Sequence, residues 1–314
     1  MAAAVYLKAN GLTLAGVALA SLCPTFGLLA AARFKPAAAL LVAELAFVGW
    51  RLSGTMPKGW RYCENRDCGR APWWSHLAPE SEAVFAGLEL SHLAGVVGDS
   101  KHASFHNTFR EAYESQADVE GGLPNPLLLW STRETVRTLV RVPPGAARAP
   151  CVVFLHGFGG LLTPYMEVIA TGLPGYVVVA PQLDDVGGWG SPRGEAVVKG
   201  ALAALPPEVD RSRVFLVGLS NGSLQGTRYS PLFAKAVLLS GLGDTGGGHL
   251  LAISGRSDQR VSFEFIESEA RALRARGVDV AVRRLDADHG LILTHSREWT
   301  AIAAQFFEGK STAL

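Results

Sequence analysis

Residues 214–222 read Val-Phe-Leu-Val-Gly-Leu-Ser-Asn-Gly, an apolar run typical of a β-strand that ends in a serine between two glycines. If a strand stops here and a helix starts within a few residues, Ser220 lies on a tight turn that only small neighbours allow. Its hydroxyl then projects from the edge of a sheet. The pattern G-x-S-x-G is weak evidence alone in a chain with 35 glycines, and the preceding strand strengthens it.

Three further apolar runs lead into a glycine-rich loop, an aspartate and a histidine. Residues 151–155 precede the segment His-Gly-Phe-Gly-Gly at 156–160, a loop whose backbone N–H groups can approach a substrate closely. Residues 250–254 run into Asp258, and residues 278–285 run into His289. Serine, acid and histidine therefore follow one another along the chain, each just past a predicted strand.

In these motifs the chain resembles the α/β-hydrolase family, whose catalytic triad has the same order. The resemblance covers residues 134–307, a little over half of the chain. It implies that Ser220 is the nucleophile, that His289 is its general base, and that Asp258 orients the imidazole and stabilises its charged form.

An oxyanion hole and an apolar pocket are expected beside the serine. The resemblance and the positions together assign the hole to the backbone N–H groups of Phe158 and Asn221. Substrate selectivity is expected to depend on the apolar side chains that reach the cleft. The candidates are Phe158, Leu161, Leu162, Trp189, Leu219 and Leu224.

Each triad assignment has an alternative in the sequence. Ser220 could be an ordinary turn serine. Asp244 follows the preceding predicted strand, where some members of the family place the acid, and it competes with Asp258. His295 competes with His289, but it falls in the next predicted helix rather than in the loop after the last strand.

Strand and helix signals alternate from residue 135 onward, which predicts a mostly parallel sheet with helices on both faces, as in the α/β-hydrolase fold. Only about ten residues separate Ser240 from Leu250, so no large lid insertion is expected there. The domain organisation predicted is an apolar segment (1–50), a helical extension (51–130) and a catalytic domain (131–314).

The amino-terminal segment carries a membrane prediction. Residues 11–32 contain no charged residue, and at about 1.5 Å per residue a helix of this length crosses a hydrocarbon core of about 30 Å. A single span or a hairpin with residues 37–50 would anchor the protein, on a side that the flanking charges leave open. Cleavage of a signal peptide and secretion is the alternative.

The charge balance excludes nucleic acid as a partner. With 29 basic and 28 acidic residues, the chain has no excess of positive charge with which to bind nucleic acid.

The cysteines leave alternatives open. Cys63 and Cys68 could form a disulfide, remain two free thiols or help to bind a metal ion. Cys151 is expected to be a buried small side chain.

His102 and His106 share a helix face at a spacing that can bind a metal. No glutamate accompanies them as in a zinc peptidase, so they are interpreted as exposed or hydrogen-bonding side chains.

The function predicted is a serine hydrolase that cleaves carboxylic esters through an acyl-serine intermediate. Its partner would be a small-molecule ester or acyl substrate, and the chemistry implies no metal or organic cofactor. A thioesterase, a peptidase or an acyltransferase would use the same residues. A non-catalytic, membrane-anchored binding module is the alternative from a different class.

Overall fold

The computed structural model describes residues 9–10, 22, 25, 37–43, 45, 49, 55–116, 122–183 and 188–310. The chain divides into two compact units. The smaller comprises residues 1–57 and 71–128, and the larger comprises residues 58–70 and 129–314. The larger unit holds a nine-stranded sheet, and the smaller one holds a helical hairpin.

The sheet runs through the whole of the larger unit. Its strands are β1 (Trp60–Glu64), β2 (Asp67–Gly69), β3 (Arg137–Arg141), β4 (Ala149–Leu155), β5 (Val177–Pro181), β6 (Val209–Leu219), β7 (Ala236–Leu239), β8 (His249–Gly255) and β9 (Asp279–Leu285). From residue 55 onward, the α-helices of the described residues are α1 (Glu80–Leu93), α2 (Asp99–Glu114), α3 (Thr163–Gly172), α4 (Pro192–Ala203), α5 (Asn221–Leu224), α6 (Phe263–Ala275), α7 (Leu291–Thr294) and α8 (Ser296–Phe307).

The strands lie in the order β2-β1-β3-β5-β4-β6-β7-β8-β9. From β5 to β9 every neighbouring pair is parallel, whereas β3 is antiparallel to both β1 and β5. The predicted fold class is therefore confirmed, because the sheet is mostly parallel. In such a sheet the residues that follow β4, β6, β8 and β9 all emerge at one edge.

Helices cover both faces of the sheet, because successive strand residues point to opposite sides. Val153 of β4 belongs to a buried cluster with Val197 of α4 and Ile266 of α6. The next residue, Phe154, points the other way, and its ring centroid lies 6.0 Å from that of Tyr165 in α3. Strands buried on both faces explain the nearly continuous apolar runs in the sequence.

The sheet extends beyond the segment that the sequence assigns to the catalytic domain. Strand β1 pairs with β3 from Trp60 to Glu64, so residues expected in the helical extension belong to the sheet. Strands β1 and β2 form a hairpin in which Cys63 lies opposite Cys68, and the two form a disulfide. Of the three states that the sequence leaves open for these cysteines, the structure contains the disulfide. Cys151 is free and buried, as expected.

In the smaller unit, helices α1 and α2 pack on each other. Phe85 of α1 and Tyr113 of α2 approach with ring centroids 6.2 Å apart. His102 stacks on His92 at 4.4 Å, and the ring of His106 lies 4.8 Å from that of Phe85. The side chains of His102 and His106 therefore pack between α1 and α2. Among the residues that the structure describes, no group of side chains is arranged to hold a metal ion.

The connection between β7 and β8 lies flat against the chain that follows Ser220. The Gly243 amide donates to Thr227 Oγ1 at 2.8 Å. A Cβ at Gly243 would overlap the Leu224 carbonyl oxygen, and one at Gly246 would lie 2.7 Å from that of Thr227. These glycines allow a close approach that side chains would prevent. The expected absence of a large lid insertion at this connection is confirmed.

The predicted membrane segment, residues 11–32, lies outside the described residues except for Leu22 and Thr25. Within the described part of the chain, no helix combines the length and the apolar character needed to cross a bilayer. Anchoring through residues 11–32 stays a prediction.

Candidate active site

The turn after β6 holds Ser220 in a strained conformation. The serine lies between the end of β6 and the start of α5, with φ of 50° and ψ of −112°. A non-glycine residue rarely adopts a positive φ. A Cβ at Gly218 would lie 2.7 Å from the Gly222 carbonyl oxygen, and a Cβ at Gly222 would lie 2.6 Å from that of His156. The two glycines of G-x-S-x-G are therefore required by close packing.

A hydrogen-bonded chain links the serine to a histidine and an aspartate. Ser220 Oγ lies 3.0 Å from His289 Nε2, and His289 Nδ1 lies 2.8 Å from Asp258 Oδ2. A carboxylate can only accept, so Nδ1 carries the proton and Nε2 is free to accept the serine hydroxyl proton. The arrangement matches the geometry of a serine nucleophile with its general base.

The environment of Asp258 keeps its carboxylate ionised. The side chain has no exposed surface, and its Oδ1 accepts the amides of Arg260 at 2.9 Å and Val261 at 3.0 Å. Burial alone would raise the pKa of Asp258, but the hydrogen bonds from His289 and from the two amides outweigh burial and lower it. An ionised Asp258 can stabilise a positively charged His289.

The loops that carry the acid and the histidine are fastened to each other. Both the amide and the hydroxyl of Ser257 donate to the Ala287 carbonyl oxygen, at 3.0 and 2.9 Å. A Cβ at Gly255 would lie 2.7 Å from the Asp288 carbonyl oxygen, so the two loops run in close contact. These contacts hold the loops of Asp258 and His289 next to each other.

The competing residues lie elsewhere. Asp244 is exposed in the β7–β8 connection, and its carbonyl oxygen accepts a hydrogen bond from Arg276. His295 lies at the junction of α7 and α8, where its Nδ1 is 3.0 Å from Thr294 Oγ1. The structure brings together Ser220, Asp258 and His289, and it brings neither alternative into that group.

The loop after β4 presents backbone donors beside the serine. A Cβ at Gly157 would lie 3.3 Å from the Cβ of Ser220, which shows how closely this loop approaches the nucleophile. Neither the Phe158 amide nor the Asn221 amide donates a hydrogen bond to another described residue. Backbone N–H groups near a serine nucleophile that have no partner among the described residues are suited to bind a developing oxyanion.

His156 holds that loop in place. Its Nδ1 donates to the Gly157 carbonyl oxygen at 2.8 Å, and its Nε2 accepts the Leu183 amide at 3.2 Å. The Gly157–Phe158 peptide is trans, so its N–H points opposite to the carbonyl that His156 binds. Trp189 Nε1 donates to the His156 carbonyl oxygen at 2.8 Å. The buried His156 therefore fixes the orientation of the Gly157–Phe158 peptide, and these hydrogen bonds engage both of its ring nitrogens.

The predicted pocket residues differ in exposure. Leu161 and Trp189 are 0 and 1% exposed, and Leu219 is 6% exposed. Leu224 is partly exposed, and Phe158 is 80% exposed. In this structure Leu161 and Trp189 are packing groups, because buried side chains offer no surface to a ligand. Phe158 and Leu224 are the pocket candidates that present apolar surface.

Gln182 is a site residue that the sequence analysis missed. Its Oε1 accepts the Leu161 amide at 3.0 Å, so it supports the loop that carries Phe158. The signal in the sequence that could have identified it is a polar residue directly after the apolar strand β5. Asp184 and Asp185, which follow the same strand, lie outside the described residues.

The strand order, the strained serine turn and the chain order of serine, aspartate and histidine are those of the α/β-hydrolase fold. No family model matches the sequence, and no curated protein is significantly similar to it.

Solved structures resemble this one at low sequence identity. An esterase from Pyrobaculum calidifontis is 18% identical with a TM-score of 0.46, over 56% of this chain and 82% of that one. A dipeptidyl peptidase 4 from Porphyromonas gingivalis is 14% identical with a TM-score of 0.46, over 58% of this chain and 35% of that one. The chain thus spans about a third of that peptidase. Similarity at this level decides neither substrate nor activity.

The buried His156 generates a prediction about stability and pH. Burial lowers its pKa from 6.5 to about 4, so the unfolded chain binds more protons than the folded one between these values. The contribution of neutral His156 to the free energy of unfolding is complete above pH 6.5. It falls by about 2 to 3 kcal/mol as the pH drops toward 4.

Urea unfolding at pH 7 and pH 4.5, for the wild type and for His156→Asn, measures this contribution. We expect the wild type to lose about 2 to 3 kcal/mol more than the variant between the two pH values. Equal losses would show that His156 does not titrate in this way.

Proposed function

We propose that the protein is a serine hydrolase that cleaves carboxylic esters through an acyl-serine intermediate. One observation carries the proposal. Ser220 Oγ, His289 and Asp258 form a continuous chain of short contacts, 3.0 and 2.8 Å long, and the nearby amides of Phe158 and Asn221 donate to no other described residue. This arrangement supplies a nucleophile, a base and an oxyanion site together.

In the first half of the reaction, Ser220 Oγ attacks the ester carbonyl carbon and its proton passes to His289 Nε2. The carbonyl oxygen gains the negative charge, and the amides of Phe158 and Asn221 bind it. Such donors typically stabilise the transition state by about 3 kcal/mol each. When the tetrahedral intermediate collapses, the ester C–O bond breaks and the alcohol leaves with the proton from His289.

In the second half, water attacks the acyl-serine and gives a proton to His289 Nε2. The new intermediate collapses, the carboxylic acid departs, and the proton returns to Ser220 Oγ. Asp258 remains ionised throughout and stabilises the imidazolium in both halves. Every step uses groups of this chain, the substrate and water, so the proposed chemistry requires no metal or organic cofactor.

The preference for esters rests on the leaving group and on the chain around the serine. An alcohol leaves more easily than an amine, so an ester makes the smaller demand on His289 as a general acid. The β7–β8 connection packs against the residues after Ser220 and contributes no lid. Thioesters, peptides and acyl transfer to other acceptors use the same groups, and substrate comparison distinguishes them.

We predict that a fluorophosphonate probe labels the purified wild-type protein and that Ser220→Ala abolishes the labelling. The probe reports an activated serine, because phosphonylation requires the base and the oxyanion site. In-gel fluorescence measures it, and urea unfolding of the variant verifies its fold. No labelling of well-folded wild type would favour the non-catalytic binding module.

The same preparation separates the substrate classes. We expect turnover of p-nitrophenyl esters, compared across acyl chain lengths, and much slower turnover of p-nitroanilides with the same acyl groups. Faster cleavage of the anilides would replace the esterase proposal by a peptidase.

The choice of acid is tested by a matched pair of variants. Asp258→Asn should lower kcat about 10⁴-fold, because the amide can no longer hold the required tautomer of His289 or stabilise its charge. Asp244→Asn, the control, should leave kcat within about twofold. A nearly silent Asp258→Asn together with an impaired Asp244→Asn would contradict the assignment. Steady-state kinetics on one p-nitrophenyl ester measures both.

A further inference from the structure

The residue after β7 has a backbone conformation that calls for an explanation. Ser240 is fully buried and has a φ of 50°. Glycine adopts positive φ freely, whereas other residues do so at a cost. Strained residues of this kind persist where the surrounding structure holds them, and they cluster at functional sites. Among the described serines, Ser220 is the one other with a positive φ.

The backbone on both sides of Ser240 contacts the nucleophile turn. The Leu239 carbonyl oxygen accepts the Ser220 amide at 2.8 Å and the Ser223 hydroxyl at 2.8 Å. On the other side, a Cβ at Gly241 would lie 2.8 Å from the Ser220 carbonyl oxygen. The end of β7 therefore supports the serine turn directly.

The side chain of Ser240 reaches the loop that carries the histidine. Its hydroxyl donates to the His289 carbonyl oxygen at 3.3 Å. Among the described residues, this is the one side-chain hydrogen bond made to the main chain of His289. The Ser240 amide donates to the Ile253 carbonyl oxygen at 2.9 Å, which ties the same residue to β8.

We propose that Ser240 is a positioning residue that sets the distance between His289 Nε2 and Ser220 Oγ. Its neighbours in the chain hold the nucleophile turn, and its hydroxyl holds the backbone of the base. A glycine at this position would relieve the strain but would have no hydroxyl. The inference rests on the proposed serine hydrolase function, because it assigns Ser240 a role in that reaction.

Three variants test the role. Ser240→Ala removes the hydroxyl and keeps the strain, whereas Ser240→Gly removes both. Ser254→Ala is the matched control: Ser254 is also fully buried on the neighbouring strand β8, and its hydroxyl has no hydrogen-bond partner in the described structure. The control thus loses an equally buried hydroxyl that positions nothing.

We expect kcat for a p-nitrophenyl ester to fall about fivefold to tenfold in both Ser240 variants, the effect of losing one neutral hydrogen bond that orients the base. KM should stay within about twofold, since substrate contacts are unchanged. Ser254→Ala should keep the wild-type kcat. Titration with the fluorophosphonate counts the active sites, so each kcat refers to competent protein alone.

A spectroscopic measurement accompanies the kinetics. The Nδ1 proton of His289, in its hydrogen bond to Asp258, gives a far-downfield proton resonance in a working triad. We expect this resonance to shift or broaden in both Ser240 variants and to stay unchanged in Ser254→Ala. A purely structural defect would lower the folded fraction without moving the resonance of the folded protein.

The outcomes separate the two proposals. Wild-type protein that neither turns over esters nor reacts with the probe would contradict the serine hydrolase function itself. Active wild type with Ser240 variants that match Ser254→Ala in kcat per site and in the resonance would overturn the positioning role alone. A loss of activity that disappears when rates are expressed per titrated site would also overturn it.

Discussion

The close approach of the backbone at Gly222 to the end of β4 is the contact on which the site depends. A Cβ at Gly222 would overlap the Leu155 carbonyl oxygen and lie 2.6 Å from that of His156. This contact brings the turn after β6 against the loop after β4. The hydroxyl of Ser220 and the amide of Phe158 come from these two segments, so one packing constraint sets a nucleophile beside an oxyanion donor.

The remaining groups follow from the parallel sheet. Strands β6, β7, β8 and β9 are neighbours in that order, so residues beyond their carboxyl ends meet at one edge. Asp258 and His289 occupy adjacent loops there, and Ser257 joins those loops through the Ala287 carbonyl oxygen. Hydrogen bonds from His289 and from two backbone amides outweigh burial and keep Asp258 negatively charged, as a protonated His289 requires. The sheet topology brings Ser220, Asp258 and His289 close together, and local hydrogen bonds orient their side chains.

The sequence predicted what depends on strand and turn patterns, because apolar runs that end in Ser220, Asp258 and His289 carry their own signal. It missed strand β1, because residues 65–136 separate that strand from β3, its partner in the sheet. The sequence analysis did not identify Ser240 either, since its proposed role arises from its backbone conformation and from a contact with His289, 49 positions away. Trp189 was predicted to line the cleft, and only the structure shows that it is buried and donates a hydrogen bond to the His156 carbonyl oxygen.

The central claim is that Ser220 forms the covalent intermediate, and trapping that intermediate tests it most directly. Wild-type protein would be mixed with p-nitrophenyl acetate, quenched in acid during the first turnovers, digested and analysed by mass spectrometry. The account predicts one acetyl group on the peptide that contains Ser220, located on the serine itself. Sustained ester turnover with unmodified Ser220, or with the acetyl group on another residue, would contradict it.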